Sequence, residues 1–414
     1  GVDFIICDHH LPAEEIPRAV AVLDPKRVDC SYPFDELSGC GVGFKLVQAY
    51  AQKNRMPFEQ ILPLLDLLVV SIASDIVPLV GENRILAYFG LQQLNSNPSL
   101  GLKTIIKISG IDKEITINDI VFRIGPRINA AGRVESGRKS VELLTADEKC
   151  SAAGIASDIN TFNDQRKKLD HDITEEAIRH INQSELEPSK KTTVLFNANW
   201  HKGVIGIVAS RLPESFYRPT IILTESNGLA TGSARSVEGF DLYYAISQCS
   251  EFLENYGGHK YAAGLTLKIE NIEPFKQKFE RIVRETIDDE MLTPQINIDA
   301  KIKLTDITPD LYHMLQKFAP FGPNNTIPVF MTEKVTNFIG TKRVGRNNEH
   351  LKLVIVDDTR ACNDRSGIGF GMGHLYDKVN SGGFFDICYT LQENEFMGKN
   401  DIQMIVKDIR LREE

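Results

Sequence analysis

Between Ser151 and about Ser184 the chain runs through a polar, charged, amphipathic stretch with neither glycine nor proline after Gly154. Apolar residues recur in it at helical spacing, and with no breaker it has one folding option, a single long helix. Such a helix reads as a connector between bodies that fold separately. Glu187-Pro188-Ser189-Lys190-Lys191 ends it. The textures on its two sides differ. Residues 1–150 and 188–290 mix short apolar strands with helices, whereas from roughly Met291 onward short alternating strands take over. The predicted fold class is α/β, with a first domain over 1–150, the connecting helix over 151–187, a second α/β domain over 188–290, and a small, partly open OB-like β-barrel over 291–414. The length of 414 residues agrees, since it suggests about two to four domains.

Composition narrows the function classes. The net charge is −9 and the isoelectric point about 5.6, so a nucleic-acid partner has to meet a local basic surface. Seven scattered cysteines with no Cys-x-x-Cys pair give no zinc framework and suit a reducing cytosol, so the expected location is cytoplasmic. The most apolar stretch, Ile61 to Ala73, is interrupted by Pro63 and Asp66 and is too short to span a bilayer, so no membrane partner is expected. No signal peptide is visible. The sequence starts with Gly-Val rather than Met, inside a predicted strand, and is read as a fragment lacking its own beginning.

Phe4 to Cys7 is a short apolar run predicted to be a buried parallel strand. Leu11-Pro12 stops it, so Asp8, His9 and His10 land at its carboxyl end, where open α/β sheets collect ligands. One carboxylate and two imidazoles on a rigid support suit Mn²⁺ or Zn²⁺. The plainer alternative is a strand end followed by a polar loop. Ala21 to Pro25 is a second strand closed by Asp-Pro. Ser38 to Gly43 reads as a glycine-rich turn entering a helix over Phe44 to Gln52, either a phosphate site built from free amides or simply close packing. Ile61 to Ser74 reads as a buried helix that delivers Asp75. An ionisable group there is costly unless paired, hydrogen-bonded or metal-bound. A capping role in the next turn is the alternative.

Asn83 to Asn95 and Val141 to Leu144 are helical in pattern. Between them Gly125 to Arg133 reads as a loop carrying Arg127, Asn129 and Arg133, and arginine forks fit phosphate oxygens bidentately. Past the connector, Thr192 to Asn197 and Pro219 to Thr224 read as strands, and Trp200 to Arg211 as a turn entering a helix. Gly232 to Ser236 and Tyr256 to Gly264 read as small-residue turns that bring Ser233, Arg235 and His259 close to a ligand. Alone His259 is an ordinary structural histidine; with Arg235 it makes a second phosphate clamp. The alternative pairs Arg235 with Glu238 or Asp241. In the last region Ile296 to Ile302, Leu351 to Val356 and Asp401 to Ile409 read as strands, and Asp310 to Lys317 as a helix. Lys342, Arg343, Arg346 and Lys352 form a local basic group. Of Phe338, Phe370, Phe384, Phe385 and Tyr389, most are assigned to the core and one or two to base stacking.

Taken in order, Asp8 to His10, Ala73 to Pro78, Pro126 to Arg133, Trp200 to Arg211, Gly232 to Ser236 and Gly257 to Gly264 resemble the RecJ exonucleases of the DHH phosphoesterase superfamily, across essentially the whole chain. Asp-His-His alone is a weak signal; the ordered set is specific. The resemblance implies a DHH phosphoesterase domain with a parallel sheet over 1–150, a DHH-associated domain over 188–290, and an OB domain. It also implies a two-metal phosphodiesterase, using Mn²⁺ or Mg²⁺, that degrades single-stranded DNA 5′ to 3′ in DNA repair and recombination. On that resemblance His9 and Asp75 match metal ligands, Asp8 supports the histidines and His10 faces the scissile phosphate, giving a catalytic set of Asp8, His9, His10 and Asp75. Arg127, Asn129 and Arg133 then border substrate from the first domain, and Ser233, Arg235 and His259 from the DHH-associated domain. The family's further metal-binding aspartates lie upstream of Asp-His-His, so this sequence is expected to be a truncated, inactive form with an incomplete metal site. Two rival readings stay open: a DHH phosphoesterase for short oligonucleotides or cyclic dinucleotides, and a non-catalytic single-strand-binding scaffold. Repair-protein partners are not specified by the sequence.

Overall fold

The structure, a computed structural model, describes residues 1–13, 15–183, 189–357, 364–396 and 399–412. In chain order β1 (Ile5–Cys7) and β2 (Ala21–Leu23) precede α1 (Gly39–Lys53), α2 (Leu65–Ser74) and α3 (Gly81–Ser96). Helices α4 (Leu100–Ile108), α5 (Ile117–Asp119), α6 (Gly125–Val134), α7 (Arg138–Leu144) and the long α8 (Lys149–Gln183) follow. Next come β3 (Thr193–Phe196), α9 (Ile205–Phe216), β4 (Thr220–Ser226), β5 (Leu229–Arg235), α10 (Leu242–Ser247), β6 (Leu253–His259), β7 (Ala262–Leu267) and α11 (Ile272–Thr286). The chain ends with β8 (Ala300–Lys301), α12 (Pro309–Gln316), β9 (Phe330–Asn337), β10 (Lys342–Val344), β11 (His350–Asp357), β12 (Arg365–Gly369), α13 (Tyr376–Val379), β13 (Phe385–Phe396) and β14 (Lys399–Leu411). Two compact units result: Gly1–Ser96 with Ile296–Glu414, and Asn97–Gln295. The expected boundary at 187/188 falls outside the described residues.

In the first unit β1 pairs in parallel with β2, Ile6 opposite Val22. The run Phe4 to Cys7 is a strand as expected, but it is not buried: Phe4 is 66% and Ile5 54% exposed. A parallel strand is buried only when both faces are covered, and this sheet has two strands among the described residues. The glycine-rich Ser38 to Gly43 is no free-standing turn either. Ser38 is the N-cap of α1, accepting the Gly41 amide at 3.1 Å, and the glycines form the first helical turns. Helix α2 buries Leu68, Val69 and Ile72 completely, each contributing about 1.5–3 kcal/mol. It packs on α3 so closely that a Cβ on Gly90 would lie 2.6 Å from the Leu65 carbonyl oxygen.

The terminal strands form the expected barrel. Their order is β10-β11-β12-β14-β13-β9-β8, and β11 also pairs with β9, closing a ring of β11, β12, β14, β13 and β9. Its core holds Val335, Leu351, Leu353, Phe385, Ile387 and Tyr389. Burial pushes the Tyr389 phenol up to about 12, and its hydroxyl is 2.7 Å from Thr332 Oγ1. The strand expected over Ile296 to Ile302 shrinks to β8, in register with Phe330 and Met331 of β9. Pro328, two residues before Phe330, has no N–H to extend the ladder.

The second unit is built on a sheet of order β3-β4-β5-β7-β6, parallel between β3 and β4 and antiparallel beyond. One face packs Val204, Val208 and Leu212 around α9 against Ile173, Ala177 and Ile181 of α8. The other packs Phe275 and Phe279 of α11 against Leu223, Leu265 and Leu267. The 35 residues of α8 form one unbroken helix, as the missing breakers require.

Three readings change here. Gly125 to Arg133, expected as a loop, is helix α6. Pro126 opens it, where a missing N–H costs nothing, and Ala130 and Ala131 are fully buried. Gly232 to Arg235 is not a turn but the end of β5, and within Tyr256 to Gly264 only Lys260 and Tyr261 turn, the rest being the facing ends of β6 and β7. Small residues are needed in these strands because neighbours crowd them: a Cβ on Gly232 would lie 2.4 Å from Leu223 Cδ2.

Candidate functional site

The first unit gathers Asp8, His9, His10 and Asp75. Asp8 follows β1, and its amide donates to the Leu23 carbonyl of β2 at 2.9 Å. Its carboxylate accepts the His9 amide (2.7 Å), the His10 amide (3.3 Å) and His10 Nδ1 (2.8 Å). These bonds, the His10 ring first, hold the Asp8 carboxyl below its ordinary value against the opposing effect of partial burial. With Nδ1 tied to Asp8, the exposed His10 ring keeps Nε2 free. His9 is mostly buried. Its Nε2 stands 3.1 Å from Oδ2 of Asp75, which caps the carboxyl end of α2. Thus Asp75 closes the buried helix rather than opening the next turn, and Ile76 at φ 56° turns the chain away. The His9 and His10 rings lie 4.5 Å apart, and a Cβ on Gly39 would be 3.4 Å from His9 Cδ2. Ser71 of α2 donates to the Ser38 hydroxyl at 3.1 Å, which draws the start of α1 and the body of α2 together.

The donors suit a divalent ion. Two ligand atoms bound cis to an ion at about 2.1 Å stand about 3 Å apart, and His9 Nε2 and Asp75 Oδ2 are at that interval. Imidazole nitrogen with carboxylate oxygen is a combination Mn²⁺ accepts. His9 Nδ1, the ring nitrogen left over when Nε2 serves as ligand, is buried without a hydrogen-bond partner among the described residues. No group of three or more His, Cys, Asp or Glu side chains is arranged for one ion among the described residues.

The second unit gathers arginines. Arg235, at the end of β5, donates from Nε to Ser210 Oγ (3.0 Å) and from Nη1 to Ser233 Oγ (3.0 Å) and the Ala234 carbonyl (2.8 Å). Neither Glu238 nor Asp241 pairs with it. Burial, then the neighbouring Arg133 charge, pull its pKa below the ordinary arginine value. Arg133 of α6 donates to the Gly203 carbonyl at 3.1 Å and is likewise lowered by burial, with Asp170 opposing. A Cβ on Gly203 would lie 2.1 Å from the Arg133 carbonyl oxygen, so glycine is what lets α6 and the entry to α9 approach. Arg127 sits on the same helix, bonded to the Asn160 side chain (3.3 Å) and the Arg123 carbonyl (2.6 Å). Asn129 is exposed and its side chain makes no hydrogen bond among the described residues.

Register places the remaining groups. Arg235 lies opposite Ala262, and Ala262 lies opposite His259, so the three form one row across β5, β7 and β6. Ser233, Gly264 and Gly257 form the next row on the same face. His259 is exposed and accepts the Tyr261 amide at 3.4 Å. The result is a floor of glycine and alanine flanked by a guanidinium and an imidazole. Sequence reasoning missed Ser210 of α9, which accepts from Arg235, and the group of Arg166 and Asp170 of α8 with Arg211 of α9. Their available signal was position: Ser210 follows Gly206 by one turn inside the Trp200 to Arg211 motif, and Gly206 abuts Ser233 and Arg235.

Family models match at residues 1–72 (DHH family, N-terminal domain), 189–285 (DHHA1 domain) and 298–408 (RecJ OB domain). Among curated proteins the chain is 36% identical over 416 residues to the single-stranded-DNA-specific exonuclease RecJ of Bacillus subtilis, covering 100% of this chain and 51% of that protein. It is 31% identical to RecJ of Salmonella typhimurium, covering 99% of this chain and 73% of that protein. The chain belongs to the RecJ family. It thus spans about half the length of one such relative and about three quarters of another. A crystal structure of RecJ in complex with Mn²⁺ from Thermus thermophilus matches with TM-score 0.85 at 25% identity, covering 100% of this chain and 59% of that one. A second RecJ crystal structure, bound to manganese, matches with TM-score 0.57 at 29% identity, covering 70% of this chain and 71% of that one. The RecJ-family α/β architecture with DHH, DHHA1 and OB domains is therefore the one expected from the sequence. No helix among the described residues is long and apolar enough to cross a membrane.

The RecJ OB barrel sorts its aromatics by burial. Phe385 and Tyr389 are core, whereas Phe338, Phe370 and Phe384 are exposed. Lys342 and Arg343 stand on β10 opposite Lys352 and Leu351 of β11. Arg343 is committed to Asp377 at 2.6 Å and to the Tyr376 ring.

Proposed function

We propose that this chain belongs to a cytoplasmic RecJ exonuclease of DNA repair and recombination, which hydrolyses phosphodiester bonds in single-stranded DNA, 5′ to 3′, with a divalent metal, and that the 414 residues alone hold only part of its metal site. The observation that carries the reading is the His9–Asp75 pair at 3.1 Å beside a His10 anchored by Asp8, all at strand and helix ends. The proposed division is a DHH domain over 1–150, a connecting helix over 151–187, a DHH-associated domain over 188–290 and an OB domain over 291–414.

His9 and Asp75 would hold Mn²⁺ or Mg²⁺. A bound ion of this kind supplies a water of lowered pKa and neutralises charge on phosphoryl oxygens. Asp8 fixes the His10 tautomer, so Nε2 is the atom offered to the scissile phosphate. Arg127, Asn129 and Arg133 contact the strand from α6, and Ser233, Arg235 and His259 grip phosphate from the sheet. Small residues between Arg235 and His259 allow close approach of a sugar–phosphate backbone. On the barrel, exposed Phe338 and Phe370 give stacking faces, and Lys342, Arg346 and Lys352 give positive charge.

The test is digestion of 5′- and 3′-labelled single strands with Mn²⁺, against the same sequence as duplex. It is run on the 414-residue chain and on a version extended to the length of its relatives. The expected outcome is loss of nucleotides from the 5′ end of single strands only by the extended version, abolished by His9→Ala, with little or no cleavage by the 414-residue chain. Release from the 3′ end, or equal attack on duplex, would overturn the reading.

A further inference from the structure

Helix α8 buries a row of polar side chains. Asn163, Arg166, Asp170 and Thr174 follow at helical spacing on one face, where an amphipathic helix ordinarily places apolar residues. Asn163, Asp170 and Thr174 are buried, and the Arg166 side chain is 12% exposed. The row is joined internally and to α9. Arg166 Nη2 donates to Asn163 Oδ1 at 2.8 Å, and its Nη1 lies 3.8 Å from Asp170 Oδ2. Arg211 of α9 reaches the same carboxylate oxygen at 2.9 Å. Asn163 Nδ2, Arg166 Nε, Asp170 Oδ1 and Thr174 Oγ1 are buried with no hydrogen-bond partner. Docking of α8 does not require any of this, because apolar residues of similar volume dock a helix without desolvating charge.

Charge supplies the direction. Asp170 is the carboxylate that Arg166 and Arg211 share, and it also acts on Arg133 across the same group. Arg133 in turn neighbours Arg235. Several half-buried cations therefore stand together around one buried anion, and like charges so placed scatter unless something pins them. We propose that Asp170 is a positioning residue that pins Arg166 and Arg211 and thereby sets the arginine group with Arg133 and Arg235 for substrate phosphate. The inference rests on the phosphate-gripping reading of Arg133 and Arg235. Asp170 acts through the arginines and touches no substrate itself.

Titration of the 414-residue chain with a 5′-phosphorylated single-stranded oligonucleotide, at several salt concentrations and with melting temperature in parallel, tests it. Simple charge counting says Asp170→Asn binds more tightly and with a steeper salt slope, because a negative charge has gone. Positioning says the reverse: affinity falls roughly tenfold, the scale of one charge-assisted hydrogen bond, and the slope becomes shallower. A folded Asp170→Asn that binds as well as the parent, or better, overturns the proposal. Should Asp170→Asn fail to fold, Asp170→Glu is read instead, since it keeps the charge and moves the carboxylate by one methylene. Weaker binding is expected from it, and parental affinity overturns the proposal. Arg235→Ala is the control. Parental affinity there overturns the phosphate reading and this inference with it, whereas weak Arg235→Ala beside parental Asp170→Asn overturns positioning alone.

Discussion

Replacing Arg235 with alanine separates a phosphate grip from a merely structural arginine. Three of its hydrogen bonds go to neutral acceptors, Ser210, Ser233 and the Ala234 carbonyl, and use Nε and Nη1. The two N–H groups of Nη2 have no acceptor among the described residues, and Nη2 faces the open position left by Gly206, whose Cβ would be 3.9 Å away. The folded protein keeps this cation half-buried beside Arg133, an arrangement that pulls its pKa down and costs stability until an anion arrives. Removing it therefore loses a charge-assisted contact of about 1.5–3 kcal/mol in the complex, or roughly 10- to 150-fold in Kd. In the free protein it loses neutral hydrogen bonds but relieves repulsion, so the melting temperature should hold or rise. Fluorescence anisotropy with a labelled single strand over a salt series gives affinity and slope together. One fewer phosphate contact should lower the slope by about 0.7. A lowered melting temperature with affinity and slope unchanged would show that Arg235 only braces β5.

Asp75→Ala should cost about three or more decades in Mn²⁺-dependent cleavage by the chain extended to its relatives' length; near-parental turnover at saturating metal would remove it from the ligand set. Gly203→Ala should destabilise the second unit by about 1–3 kcal/mol, since the new Cβ meets the Arg133 carbonyl oxygen at 2.1 Å. An unchanged calorimetric transition would refute that. In the barrel, burial pushes Asp386 up, but bonds from Arg412, Arg410 and the Lys334 amide outweigh it and hold the carboxyl below its ordinary value. A depressed folded pKa gives stability that is present above the ordinary carboxylate pKa and lost as pH falls through the folded one. Asp386→Asn should accordingly lower the melting temperature at neutral pH, and the gap to the parent should close in acid; a gap independent of pH would contradict it.

What the sequence made legible was the apolar skeleton and the chemistry placed at its ends. The run through Ile72 had to be a buried helix, so Asp75 at its end needed a partner, and His9 is that partner. What stayed hidden had physical causes. β5 and β7 were masked as turns because Gly232, Ala234, Ala263 and Gly264 have poor strand propensity, and tight packing against Leu223 and Leu265 decides their state instead. Helix α6 was masked by Gly125 and Pro126, which suit a first helical turn as well as a loop, and by Gly132 near its end. The apolar β1 promised burial, whereas Phe4 and Ile5 are exposed, with β2 its one partner strand among the described residues. Asp170 was invisible for a different reason: on a charged helix, composition does not tell a buried carboxylate from a solvated one.

The row formed by Arg235, Ala262 and His259 behaves as a gauge. With neighbouring strands about 4.8 Å apart, its two polar ends are rooted about 9.6 Å from one another, and the ladder bonds of β5, β7 and β6 hold that interval fixed. Side-chain replacement can change what either end carries, but not the span between them. A one-residue slip of either outer strand would throw its end onto the opposite face. On the phosphate-gripping reading, ligands would be selected on length as much as on charge, and a rigid diphosphate mimic cut to the wrong span should engage one end and leave the other in water.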